Sequence, residues 1–186
     1  MTTKKILGWL TGLTLLSVVL MAGTAKKKLV ADKKMSSVTY TMRHPLHTWD
    51  GVSHDVNCAL MYDEASKTIE SVAVAIKVAS FDSKDGNRDS HALEVLDGIR
   101  FPAVTFVSQS VQTATDGSLT ATGKLTFHGV TKPAVLIGTH DDDGASLKVN
   151  GAFDIKMTDF NVERPSLLGM KADDIIKLKF TAFFTK

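Results

Sequence analysis

Two histidines three residues apart, His44 and His47, with a third at His54, are the first residues here whose types suit chemistry. Imidazoles with a further ligand nearby suit zinc or copper. A metal-dependent enzyme built on His44, His47 and His54 is therefore one reading. Geometry opposes it: on an extended chain a three-residue spacing puts two side chains on opposite faces, so only a bent loop unites them. Polar residues of a loop are the plainer reading, with no metal expected. Cys58 is the single cysteine, which excludes an intramolecular disulfide framework and a cysteine-based metal cluster. It lies on the apolar face of its stretch and reads as a small buried hydrophobe. A nucleophile needs a close histidine and partial exposure, and His54 is too far along the same strand to activate it.

Arg88, Asp89 and His91 stand at the start of a short helix, where backbone amides favour an anion. A carboxylate or phosphate head group there would be matched by Arg88, His91 and the backbone amides; a helix cap with a surface ion pair is the plainer alternative. Asp141 to Asp143 lack the alternating spacing of a calcium loop and read as a solvated turn. His128 sits at a turn and reads as structural. No Gly-x-Ser-x-Gly, His-Glu-x-x-His or phosphate loop occurs. The catalytic classes thus have no residue set, and the expectation is a non-enzyme without cofactors.

The elements that must position these residues follow a period of two. Leu119, Ala121, Gly123, Leu125 and Phe127 alternate with polar residues, Gly129 supplies a positive φ for a turn, and Ala134 to Gly138 run on as the next strand. Pro133 fits a strand start or an edge. Similar runs lie at 38–43, 52–62, 72–78, 103–111, 147–153 and 176–184. His44 to Gly51 breaks the first of these from the second. Asp89 or Ser90 caps a helix through Leu96, which Gly98 ends. That makes an all-β chain with eight strands and one short helix. Antiparallel strands of this number escape exposed edges by closing into a barrel, whose interior is filled by side chains or holds one small ligand. Tyr40, Val74, Ile76, Phe106, Leu125, Phe127, Phe153 and Phe180 fall on the inward faces. Ala121, Gly123, Gly151 and Ala182 lie among them and leave room for a long thin ligand, or equally fit a tapered, filled barrel. The filled form would be an adaptor that uses its outer surface.

The stretch Gly123-Lys-Leu-Thr-Phe-His-Gly-Val-Thr-Lys-Pro133 resembles the signature of the YceI-like family, periplasmic lipid- or polyisoprenoid-binding proteins with a lipocalin-like barrel. Asn87 to Leu96 with Phe101 to Phe106 is similar to that family's helix and following strand, and Ser36 to Tyr40 to its opening strand. The resemblance runs from about Met35 to Lys186. It implies an eight-stranded lipocalin-like barrel with a cavity for a polyisoprenoid, quinone or fatty-acyl chain. Cys58 stands where the family usually has glycine.

Ahead of that domain, Lys4-Lys5, the apolar run Ile6 to Leu20 and small residues through Ala25 have the parts of a secretory signal peptide. Cleavage after Ala25 is expected. An uncleaved membrane anchor facing the periplasm is the rival, since residues 6–25 are just long enough to span a bilayer. Residues 26–34 read as a basic linker and 35–186 as the barrel domain. Residues 1–34 hold seven lysines and one acid, so the chain's net charge of +2 hides an acidic body. A nucleic-acid binder would carry a basic patch on the body, and none is visible. The partners expected are a lipid or isoprenoid ligand and, through the N-terminal segment, a membrane. A homodimer is compatible with these readings.

Overall fold

The computed structural model describes residues 26–186; the expected signal peptide or anchor at 1–25 lies outside them. In chain order the strands are β1 (Lys26–Val30), β2 (Ser37–His44), β3 (His47–Ser53), β4 (Val56–Asp63) and β5 (Thr68–Lys77). The helix α1 (Gly86–Val95) follows, then β6 (Ala103–Thr113), β7 (Ser118–Phe127), β8 (Val130–Asp142) and β9 (Ser146–Lys156). A short ribbon, β10 (Ser166–Leu167) and β11 (Met170–Lys171), precedes β12 (Ile175–Thr185). Ten of these form one antiparallel sheet in the order β1-β4-β5-β6-β7-β8-β9-β12-β2-β3.

The sheet curls into a lipocalin-like barrel. Its seam is tied at two places. Asp32 N–H donates to Phe183 O at 2.8 Å, and Val52 and Asp82 exchange two backbone bonds of 3.0 Å. The all-β, lipocalin-like fold expected from the periodicity and the resemblance is therefore the one observed, with ten strands in the main sheet where eight were expected.

The two extra strands have physical reasons. Lys26–Val30, read as a linker, is β1: it pairs with β4 from Lys26↔Asp63 to Val30↔Ala59. Its three lysines are exposed and only Leu29 is buried, a charged edge strand that hides its alternation. His44 to Gly51, read as a break, is a tight turn over Pro45 and Leu46 followed by β3, paired with β2 from His44↔His47 to Val38↔Ser53.

The hairpin of β7 and β8 forms as read. Phe127 pairs with Val130, and His128 (φ 49°) and Gly129 (φ 73°) supply the two positive-φ positions of the turn. Pro133 sits inside β8 rather than at its start. It is tolerated there because β9 pairs with β8 only from Ile137 onward. The start of α1 also differs from expectation. Asp85, not Asp89 or Ser90, is the N-cap, and its carboxylate accepts the N–H groups of Asn87 and Arg88. At the other end Asp97 takes the left-handed conformation (φ 43°), and Gly98 N–H donates to Leu93 O at 2.8 Å.

The core divides along the barrel axis. At the end near β1, Tyr62, Leu147 and Phe184 are at most 1 % exposed and plug the lumen. At the other end, Met42, Phe127, Met157, Phe160 and Val162 form a second cluster beneath α1 and the β10–β11 ribbon. The barrel is thus filled at one end and hollow at the other.

Candidate functional site: an apolar cavity with one mouth

The hollow end holds a cavity of about 420 Å³, framed by α1, the β2–β3 turn and the β10–β11 ribbon. A smaller space of about 150 Å³ lies deeper, toward the plug. Phe81, Val104, Leu125, Phe153 and Leu178 border both and form the neck between them. The larger volume falls within the roughly 300–1,000 Å³ of ordinary small-molecule sites.

The period-two alternation brings the expected interior residues to these two spaces. Tyr40 and Phe127 line the outer cavity, Val74, Ile76, Phe106 and Phe180 the inner one, and Leu125 and Phe153 both. The glycines do not widen the lumen as expected. A Cβ on Gly123 would lie 2.3 Å from Val107 O and 2.8 Å from the Phe106 ring, and a Cβ on Gly151 would lie 2.3 Å from the Phe180 ring. Aromatic rings already occupy the room these residues release.

Polar groups gather at the mouth. Arg88 stacks over Trp49, its guanidinium carbon 5.4 Å from the ring centre. It donates to Ser83 O at 3.4 Å and Ser83 Oγ at 3.3 Å and pairs with Asp85 at 3.4 Å. His91 is exposed on the rim, 3.7 Å from Glu94. Both candidate head-group residues therefore border the outer cavity. The helix N-terminus itself is not free for an anion, because the Asp85 carboxylate already accepts its amides. Burial, aided by the nearby Asp89 carboxylate, pushes the Tyr40 phenol above its usual pKa. It sits in this mouth as a neutral hydroxyl.

His44 and His47 do come together, contrary to the extended-chain argument. They are the two ends of the Pro45–Leu46 turn, and their rings lie 5.5 Å apart. His47 in turn lies 5.0 Å from Trp49. His44 is committed elsewhere: Nε2 donates to Met170 O at 2.9 Å, and Nδ1 accepts Leu46 N–H at 3.2 Å. His54 bonds Ser36 O at 3.0 Å. Among the described residues no group of three His, Cys, Asp or Glu side chains could hold a metal ion. His128 holds the β7–β8 turn to the segment after β9 through a 3.1 Å bond to Phe160 O. Cys58 is 5 % exposed, borders the inner space, and burial pushes its thiol up to about 12.

Sequence reasoning missed Trp49, Phe81, Met157 and Leu178 as wall residues. A signal existed for Trp49. His47, Trp49 and Gly51 alternate with Thr48 and Asp50, and a two-residue Pro–Leu turn between two period-two runs reads as a hairpin.

The comparisons with known proteins agree with this geometry. A family model described as the YceI-like domain matches residues 29–184. Protein YceI of Salmonella newport is 33 % identical over 165 residues, covering 82 % of this chain and 86 % of the relative. The crystal structure of Burkholderia cenocepacia BcnA superposes with a TM-score of 0.73 at 24 % identity, over 82 % of this chain and 98 % of that one. A structure titled as a polyisoprenoid binding domain from Saccharophagus degradans, implicated in plant cell wall breakdown, superposes with a TM-score of 0.64 at 10 % identity, over 85 % and 97 %. With a third of its residues shared over most of its length and the family model spanning the barrel, this chain belongs to the YceI-like family.

Proposed function

We propose that the protein binds a long, thin apolar molecule in the outer cavity: a polyisoprenoid, a quinone or a fatty-acyl chain. The supporting observation is the cavity of about 420 Å³ itself, walled by apolar side chains and open at one end. Such a space binds a hydrocarbon chain by removing its area from water, at roughly 25 cal/mol per Å². The neck at Phe153 and Leu125 leads toward the inner space, so the tail points to the plug and any polar head stays at the mouth. There Tyr40, Arg88 and His91 offer donors. The polyisoprenoid named for the Saccharophagus degradans domain is of the same chemical class.

The reading is sequestration or carriage, not turnover. The histidines that suggested an enzyme support the mouth: His44 spends both ring nitrogens on backbone partners. We place the protein outside the cytoplasm, on the charge and hydropathy pattern of residues 1–25; cell fractionation tests this, and a cytosolic protein would refute it.

The binding test is a titration with a fluorescent fatty acid. Val104→Trp puts a large ring into the neck. It is expected to weaken binding about tenfold or more while costing about 1–3 kcal/mol of stability. Unchanged affinity in a folded variant would contradict a ligand at the neck.

A further inference from the structure

We propose that the rim of the cavity docks on a lipid bilayer through Leu46, Leu167 and Leu168, so that an apolar ligand passes between bilayer and barrel without crossing water. The proposal rests on the carrier reading above for its purpose, but the surface stands on its own observations.

The three leucines are 56 %, 50 % and 81 % exposed. They sit on two adjacent turns. Leu46 lies in the turn between β2 and β3, and Leu168 in the turn between β10 and β11. Two contacts hold the turns side by side: His44 Nε2 donates to Met170 O at 2.9 Å, and Asp173 N–H donates to Arg43 O at 2.7 Å. Leu167 faces both ways, half exposed to solvent and part of the cavity wall. The apolar rim is therefore continuous with the apolar interior.

Leu168 breaks two local rules at once. With Gly169 it forms a two-residue turn in which both φ angles are positive, 53° and 77°. Such turns favour Asn, Asp or Gly, because a side chain in this region crowds its own backbone. Of the non-glycine residues at positive φ among the described residues, Leu168 alone is apolar. Asparagine would suit both the backbone and the water around it. A leucine held in an unfavourable conformation and pushed into solvent points to a contact outside the barrel.

Size selects the bilayer as that contact. Three leucine side chains on two turns offer on the order of a few hundred Å². That is short of the roughly 800 Å² per partner of a stable protein interface. It suits insertion of single side chains into the boundary between head groups and acyl chains, where attachment scales with buried apolar area. Arg43 and Lys171 flank the rim, and Arg43, though 3.5 Å from Asp173, keeps 70 % of its side chain exposed to meet lipid phosphates.

The test uses residues 26–186, the barrel without the apolar segment at 6–25 that would itself enter a bilayer, with a nitrobenzoxadiazole label at Leu168→Cys, and at Ala65→Cys as a control on the plugged end. Cys58 is buried and leaves the introduced thiol as the reactive one. Vesicles of phosphatidylcholine, with and without phosphatidylglycerol, are expected to shift the emission at position 168 to the blue and not at position 65. Adding Leu46→Gln to the 168-labelled protein is expected to lower its vesicle affinity about tenfold. No shift at position 168, or equal shifts at both positions, would overturn the proposal. So would a shift that needs no vesicles and grows with protein concentration, which would make a second copy the occupant. A protein that shifts on vesicles but binds no fluorescent fatty acid in vesicle-free buffer would support the docking surface and refute the carrier reading.

Discussion

The ring of Phe180 covers Gly151. The two residues pair across β12 and β9, and a Cβ on the glycine would meet Phe180 Cζ at 2.3 Å and Ile137 O at 2.7 Å. Tyr40 treats Gly51 in the same way across β2 and β3, with its Cε1 2.3 Å from where a Cβ would stand. An aromatic side chain laid over a cross-strand glycine restores the packing the glycine gives up. In this barrel the device turns two bare backbone positions into smooth wall, and it sets the lumen by the rings rather than by the glycines.

Gly151→Phe is accordingly expected to destabilise the fold, not merely to fill a lumen. The new side chain must displace both the Phe180 ring and backbone, so the cost should reach the upper part of the usual 1–3 kcal/mol for overpacking or exceed it. Thermal unfolding checks this, since about 1 kcal/mol moves the midpoint by roughly 2–4 °C in a domain of this size. A variant as stable as the parent would mean that Phe180 does not rest on Gly151.

Asp142 anchors the plugged end. Its carboxylate accepts from Tyr62 Oη, Lys186 Nζ and Gly144 N–H, and its side chain is 8 % exposed. Burial alone would raise its pKa, but these donors outweigh burial and hold the carboxyl below its ordinary range. A carboxyl lowered by folding stabilises the protein above its unfolded pKa of about 3.9, and the contribution is lost as pH falls below that toward the folded value. Asp142→Asn should therefore cost about 1–3 kcal/mol near neutrality by leaving the Lys186 ammonium without its counter-charge. Denaturant titrations from pH 7 to pH 3 should find the gap between parent and variant narrowing below about pH 4. A gap that stays constant or widens there would contradict the assignment.

Stability is expected to be indifferent to metal. His44 has both ring nitrogens engaged with backbone, and His54 is held by Ser36. A chelator should leave the unfolding midpoint unchanged, and zinc added back should not raise it. A fall of many degrees on chelation would show that His44 and His47 share an ion.

Much of the architecture was legible because alternation is a local property. Leu119 to Phe127, with Gly129 at a positive φ, announces its own hairpin. Wall residues such as Leu125 and Phe153 follow from the same parity. What depends on neighbours in space was not legible. Lys26–Val30 looks like linker because an edge strand rich in lysine buries only Leu29. Asp85 outcompeted Asp89 and Ser90 as cap because α1 begins one turn earlier than its apolar residues suggest. Gly151 read as empty space because the ring that covers it, Phe180, comes from a partner strand. Whether the barrel was hollow or filled depended on where Tyr62, Leu147 and Phe184 gather, and they gather at one end only.

The central claim is that the cavity beneath α1 holds an apolar chain. Native mass spectrometry of the protein purified gently from its cells tests it most directly. Adducts of hydrocarbon-rich molecules that organic solvent removes are expected, and the stripped protein should take up a fluorescent fatty acid or isoprenoid. A bare chain from cells that also takes up no such probe would contradict it, whatever the shape of the barrel.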